Sequence, residues 1–354
     1  MTVTPFTYDA IPGRVVFGPG SRRRLADEAR TLGAERILLV ASTDEDELAA
    51  DVVGVLGDLV VGRFSDVVQH VPVVKAAAAV ELTRELDADT VVTIGGGSAT
   101  GFGKAIALEV DVHQIALPTT YAGSEMTTIY GLTLGGHKRT GKSDRVKPEV
   151  VVYDPELTLS LPPRIAGPSG MNALAHCVEA LYGPGANPVI SAIALEGIRA
   201  LHRSLPRVCG SPADLDARTD ALYGAYLAGV ALATGGTALH HKTCHVLGGM
   251  FDLNHGDMNA VVLGHAVAYN ALAIPELMAR MGEALGTDDV AGALHDLAHD
   301  IGAPTSLREI GMPEDGIDEA ARRVVEEASA NVRPPDEASI REMLHAAFAG
   351  TRPR

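Results

Sequence analysis

The chain has 354 residues, 46% of them hydrophobic and 21% charged, enough to bury the cores of two domains. Its formal net charge of -16 argues against a nucleic-acid surface, and no apolar run reaches the roughly 20 residues of a membrane span. Cys177, Cys209 and Cys244 are odd in number and scattered, which excludes a disulfide framework and fits a reducing cytoplasm. The N-terminal segment has no basic region followed by an apolar stretch, so no secretory leader is expected.

The first half alternates strand and helix patterns. Arg14–Phe17 reads as a short strand, and a charged helix over 21–31 follows. Arg36–Ala41 is a continuous apolar run, the pattern of a strand buried on both faces. Leu59–Gly62, Val91–Ile94, His113–Leu117 and Glu149–Tyr153 continue the series, with an Ala-rich helix over 73–86. This alternation predicts a mostly parallel sheet with helices on both faces. After Asp154-Pro155 strand-like runs nearly vanish. Helices are predicted near 169–182, 189–204, 214–233, 237–250, 257–271, 275–285, 288–301, 317–330 and 337–349. The chain is read as an α/β domain over 1–156 and an all-helical domain over 157–354.

Two motifs in the first half suit a dinucleotide. Val91–Ile94 runs into Gly95-Gly96-Gly97-Ser98 and then into a helical stretch over 99–108. A glycine turn between a strand and a helix turns backbone N–H groups toward a phosphate, and the helix dipole adds to the attraction. Ser98 is placed to cap that helix or to bond the phosphate. After the next strand, Pro118-Thr119-Thr120-Tyr121-Ala122-Gly123-Ser124-Glu125 makes a second polar lip. Ligands of open α/β sheets bind at this C-terminal strand edge. Each motif taken alone also fits a purely structural turn. The basic run Lys138, Arg139, Lys142, Arg145 and Lys147 reads as a solvated loop.

The second half carries Asn172-x3-His176, then His241-Lys242-Thr243-Cys244-His245, then His255-Gly256. Residues four apart share a helix face, so each pair projects to one side. Gly248-Gly249 permits a close approach or a turn before His255. An Asp in the first position would predict a catalytic divalent metal. Asn172 is a neutral and weaker donor, so no metal is expected, although His176, His241 and His255 alone match an open zinc site.

These motifs, in this order, resemble the iron-containing (group III) alcohol dehydrogenase family over nearly the whole chain. They are closest to its maleylacetate reductase branch, which Pro118–Thr127, Gly170–His176, Lys138-Arg139-Thr140-Gly141 and His265–Asn270 also resemble. The resemblance implies a dinucleotide-binding N-terminal domain, a helical catalytic domain and a homodimer. It implies that Gly95, Gly96, Gly97 and Ser98 contact the pyrophosphate and that Thr119, Thr120 and Ser124 line the nicotinamide. Gly101 stands where metal-dependent relatives carry Asp. Ala41-Ser42-Thr43 ends a strand where NAD-specific members carry Asp, so Ser42 meets the ribose. With Asp44, Glu45 and Asp46 close by, NADH is the expected cofactor, with NADPH tolerated.

The resemblance also names a reaction, reduction of maleylacetate by NAD(P)H to 3-oxoadipate. Reducing a simple ketone builds an alkoxide, which a Lewis acid stabilises. Reducing a C=C bond conjugated to a ketone builds an enolate, a weaker base that hydrogen-bond donors suffice to hold. A proton must then reach carbon. His245 or His241 is the expected donor or enolate stabiliser, with Tyr121 on the cofactor side. His240, His241, Lys242 and His245 give a cationic character that suits a dicarboxylate oxo-acid. The competing readings are a Zn- or Fe-dependent alcohol or polyol dehydrogenase of the same family, and a dinucleotide-binding protein without turnover.

Overall fold

The computed structural model describes residues 6–8, 10, 13–135 and 137–354; the side chains of His137 and Lys138, the latter part of the basic run, lie outside the described residues. The strands among the described residues are β1 (Arg14–Phe17), β2 (Ile37–Val40), β3 (Val60–Phe64), β4 (Thr90–Gly95), β5 (His113–Pro118), β6 (Ile129–Leu134), β7 (His137–Lys142) and β8 (Val150–Tyr153). Six of them form one all-parallel sheet in the order β1-β8-β5-β4-β2-β3.

The apolar strands follow from burial of both sheet faces. Ile37 and Leu39 point into a core shared with Leu25 and Ala29 of α1 (Leu25–Leu32) and Ala49 and Val52 of α2 (Asp46–Leu56). Leu38 and Val40 point the other way. They meet Ala76 and Val80 of α3 (Val73–Glu85) and Phe102, Ala105 and Ile106 of α4 (Gly97–Glu109). Each such Leu or Ile, fully buried, contributes about 1.5–3 kcal/mol. The helices α2 and α4 leave adjacent strands, β2 and β4, yet cover opposite faces. That reversal is a topological switch point, and Ser42 and Gly96 stand at the two strand ends that flank it.

The basic run is not a solvated loop. β6 and β7 pair as an antiparallel hairpin with Leu132 opposite Arg139 and Ile129 opposite Lys142. β7 is polar throughout and the pair stands apart from the six-stranded sheet, so no apolar run announces it. Arg139, Lys142 and Arg145 are exposed, whereas Lys147 is buried.

The α/β unit ends at Leu161, and the helical unit takes in Pro162–Arg354 together with the described residues up to Ala10. The turn Pro155–Thr158 stays with the sheet because Asp154, fully buried, holds it there. That carboxylate accepts from Gly20 N at 2.9 Å, Arg22 N at 3.1 Å, Arg22 Nη1 at 2.9 Å and Glu156 N at 3.1 Å.

The helical unit contains α5 (Pro163–Ala180), α6 (Pro188–Gly210), α7 (Leu215–Gly235), α8 (Leu239–Phe251), α9 (His255–Asn270), α10 (Pro275–Leu285), α11 (Val290–Asp300), α12 (Ile317–Glu327) and α13 (Glu337–Ala349). From Gly170 to Ala180 every residue of α5 is buried, the mark of a core helix. Leu239, Cys244 and Leu247 of α8 pack with Val261 and Val262 of α9, Ile317 and Val324 of α12, and Leu344 of α13. No single helix among the described residues is long and apolar enough to cross a membrane. Only α7 and α8 taken together, bent by 94°, have that length and composition.

Candidate functional site

In the α/β unit, the glycine turn joins β4 to α4. Gly95 has φ of 138°, a conformation that L side chains rarely adopt. A Cβ on Gly96 would lie 3.0 Å from Thr120 Cγ2, so the turn and the second lip pack directly on each other. The helix cap is Gly96, not Ser98, and no side chain caps it. Ser98 lies within the first turn. The first N–H groups of α4 therefore have no side-chain acceptor, and an anion fits there. Gly101 owes its identity to packing, because a Cβ there would lie 2.7 Å from Val71 Cγ2.

The rest of the lip is more committed than its sequence suggests. Thr119 Oγ1 donates to Glu45 Oε1 at 2.9 Å, which leaves its lone pairs to accept from a ligand amide. Thr120 and Ser124 are half-buried. Tyr121, expected on the cofactor side, is fully buried. At the end of β2, Ser42 is half-buried and its carbonyl accepts from Arg63 Nη2 at 2.5 Å.

In the helical unit, α5, α8 and α9 bring the imidazoles together. The rings of His176 and His241 stack, 4.6 Å between centroids and 12° between planes. His245 lies 6.3 Å from His241, and His255 lies 6.5 Å from His241 and 6.4 Å from His245. Asn172, His176 and His241 are buried, while His245 and His255 are exposed. Gly256 permits this approach, since a Cβ there would lie 2.9 Å from Pro168 Cβ of α5. Gly248 and Gly249 lie inside α8 and make no turn. The chain reverses at Asp252, with φ of 53°.

Sequence reasoning missed Glu179. It is seven residues after Asn172 and three after His176, which places all three on one face of α5. A lone acid in a buried apolar stretch was the available signal. Glu179 is fully buried beneath the N-terminus of α8. Its Oε1 accepts from His240 N at 2.7 Å and its Oε2 from His241 N at 3.4 Å, with a further backbone bond from Ala238. The same Oε2 lies 2.6 Å from His241 Nδ1. Burial pushes this carboxyl up, while the neighbouring His240 ring and the three amides oppose the shift. His241 Nδ1 then carries the proton, and His241 Nε2 is a lone pair. His240 Nε2 lies 3.2 Å from Asn259 O, which puts its proton there and leaves its Nδ1 as an acceptor 3.2 Å from His241 Nδ1.

Two expectations change. The buried imidazoles are not cationic, because burial and neighbouring rings drive His176 and His241 well below the usual imidazole range and His240 to about 3. Lys242 sits a quarter-turn away on α8, with its ammonium 3.7 Å from Glu327 Oε2. Nor is His241 a donor toward the site, since its outward nitrogen accepts.

The buried atoms Asn172 Oδ1, His176 Nδ1 and His241 Nε2 have no protein partner, so they are free for a ligand. They do not suit a resident iron. An ion held by two imidazoles lies in both ring planes, whereas His176 and His241 stack nearly parallel. Asn172 brings no charge, and the carboxylate of Glu179 is bonded to His241 and to α8. Glu179, His240 and His241 lie close enough together for an ion, yet their donors and acceptors already satisfy one another.

The comparisons with known proteins agree with these two halves. The family model for iron-containing alcohol dehydrogenase matches residues 12–155, and the C-terminal model of the Fe-containing alcohol dehydrogenase family matches 167–348. A maleylacetate reductase of Sphingobium indicum is 49% identical over 348 residues, 98% of this chain and 99% of that one. The crystal structure of maleylacetate reductase from Agrobacterium tumefaciens superposes with a TM-score of 0.96 at 45% identity, covering 99% of this chain and 100% of that one. Sulfoacetaldehyde reductase from Bifidobacterium kashiwanohense, solved in complex with NAD+, gives 0.91 at 26% identity, covering 97% and 99%.

Proposed function

Because the chain belongs to the iron-containing alcohol dehydrogenase family, in its maleylacetate reductase branch, we propose that it reduces the conjugated C=C bond of maleylacetate to give 3-oxoadipate. The near-full-length identity to the Sphingobium enzyme carries this reading. NAD(P)H bound to the α/β unit supplies the hydride. Gly96, Gly97 and Ser98 at the open N-terminus of α4 hold the pyrophosphate, and Thr119, Thr120 and Ser124 meet the nicotinamide. A cytoplasmic homodimer accompanies this reading.

Hydride adds to the carbon β to the ketone, and the electron pair moves onto the ketone oxygen as an enolate. Asn172 supports this step because a neutral amide, unlike a carboxylate, does not repel a substrate that is already a dianion. His245, exposed beside His241, delivers the proton to the α carbon. His241, held by Glu179, accepts a hydrogen bond and fixes the geometry of that transfer. His176 and His255 complete the wall. The residues derive this chemistry without a metal.

The deciding assay follows NADH oxidation with maleylacetate and simple aldehydes side by side. Turnover of maleylacetate that survives chelation is the expected result. Aldehyde reduction that requires added Zn or Fe favours the metal-dependent dehydrogenase instead.

A further inference from the structure

Lys104 is the one charged side chain in the buried middle of α4, and it is fully buried. Its ammonium faces four oxygens: Ser124 O at 2.7 Å, Thr127 O at 2.8 Å, Thr127 Oγ1 at 3.0 Å and Ile129 O at 2.6 Å. This is how carbonyls surround a small cation, except that the cation is tied to a helix. Thr127 Oγ1 also accepts from Ile129 N at 3.3 Å. Glu125, fully buried, accepts from Tyr153 OH at 2.7 Å and adds an attractive charge, while Lys147 opposes it. Burial lowers Lys104 to about 7, so its charge is held against a desolvation cost.

The polar lip is thus clamped to α4 at two points. At the first turn of the helix, Thr120 packs on Gly96. Two turns further on, Lys104 holds 124–129. We propose that Lys104 is a positioning residue that sets the distance between the pyrophosphate turn and the nicotinamide lip through Ser124. The proposal rests on the reading that this unit binds NAD(P)H. A core lysine with only a structural task would not have to act on the cofactor.

The test compares wild type with Lys104→Met, Thr127→Val and Lys104→Ala. Thr127→Val deletes only one partner oxygen and keeps the ammonium, so it stands in where the lysine variants fail to fold. NADH affinity is read by fluorescence, and hydride transfer by the isotope effect with C4-deuterated NADH. Weakening of NADH binding by about tenfold in Lys104→Met, and by less in Thr127→Val, is expected on loss of charge-assisted bonds. A larger isotope effect in both is also expected. Propylammonium, but not propanol, restores binding to Lys104→Ala. If folded variants melt earlier yet bind NADH and transfer hydride as wild type does, the proposal is overturned while the cofactor reading stands. If wild type binds neither NADH nor NADPH, both fall.

Discussion

Glu179 Oε2 lies 2.6 Å from His241 Nδ1, and this contact sets which nitrogen of His241 carries its proton. The carboxylate also caps α8, so the tautomer and the helix position are fixed by one group. Glu179→Gln keeps the shape but can donate to Nδ1, which moves the ring proton to Nε2. Turnover is expected to fall by about 10- to 100-fold, as on loss of an orienting partner. NADH affinity should be unchanged. Nitrogen NMR of the histidine side chains checks the tautomer directly, and an unaltered His241 pattern in the variant contradicts the assignment.

His245 has a different sensitivity. His245→Ala removes the proposed proton donor from an exposed position and leaves the buried pair in place. A loss of ~10²- to 10⁴-fold in kcat is expected, the range for a general acid. NADH binding should change little. Turnover within a few-fold of wild type would assign the proton to another group.

Much of this was legible in the chain. The apolar runs at 36–41 and 91–94 announced strands buried on both faces, and the spacing of Asn172, His176, His241 and His245 announced shared helix faces. The β6–β7 hairpin was not legible, because β7 is polar and the pair lies outside the parallel sheet, so no apolar run marks it. Glu179 and Lys104 were hidden for a common reason. Each is a lone charge in a buried helix, and its role depends on backbone groups from distant segments, 59 to 62 residues away for Glu179. For Lys104 those groups belong to the 124–129 segment. Spacing rules within one helix do not reach that far. The neutrality of the imidazoles was likewise set by burial, which composition does not report.

Asn172→Asp tests the amide. The substitution places a carboxylate in the buried pocket lined by His176 and His241 and restores a charged donor. Maleylacetate turnover should drop, because a second negative charge opposes both the dianion and the enolate. Zinc should bind more tightly than to wild type, which titration calorimetry reads. Equal zinc affinity in the two proteins would mean that the ring geometry, not the missing charge, governs the site.

Buried neutral histidines make the fold sensitive to acid. His240 is driven to about 3 by burial and His265 to about 4 by burial beside His295, against 6.5 for a free imidazole. A base with a lowered folded pKa binds fewer protons folded than unfolded. Stability is therefore greatest above pH ~6.5 and falls as the pH drops toward the folded values. Chemical denaturation between pH 7 and pH 4 should show the midpoint falling steadily. His265→Phe, which fills a similar volume without titrating, should flatten part of that slope. A midpoint independent of pH across this range would show that these rings titrate alike in the folded and unfolded chain.

Cofactor choice follows from the end of β2. Glu45 is anchored by Thr119, and burial raises its carboxyl. Arg63 is the nearby cation suited to a 2′-phosphate, but it is bound to Asp46 at 2.7 Å and to the carbonyls of Ala41 and Ser42. An incoming 2′-phosphate meets a fixed acid and no uncommitted guanidinium, so NADH should be preferred over NADPH. Glu45→Gln combined with Asp46→Asn removes the acid and releases Arg63. The ratio of kcat/KM for NADPH to that for NADH should rise by about tenfold or more, the worth of one ion pair freed from competition. An unchanged ratio would place the ribose away from Ser42 and reassign the adenosine half of the site.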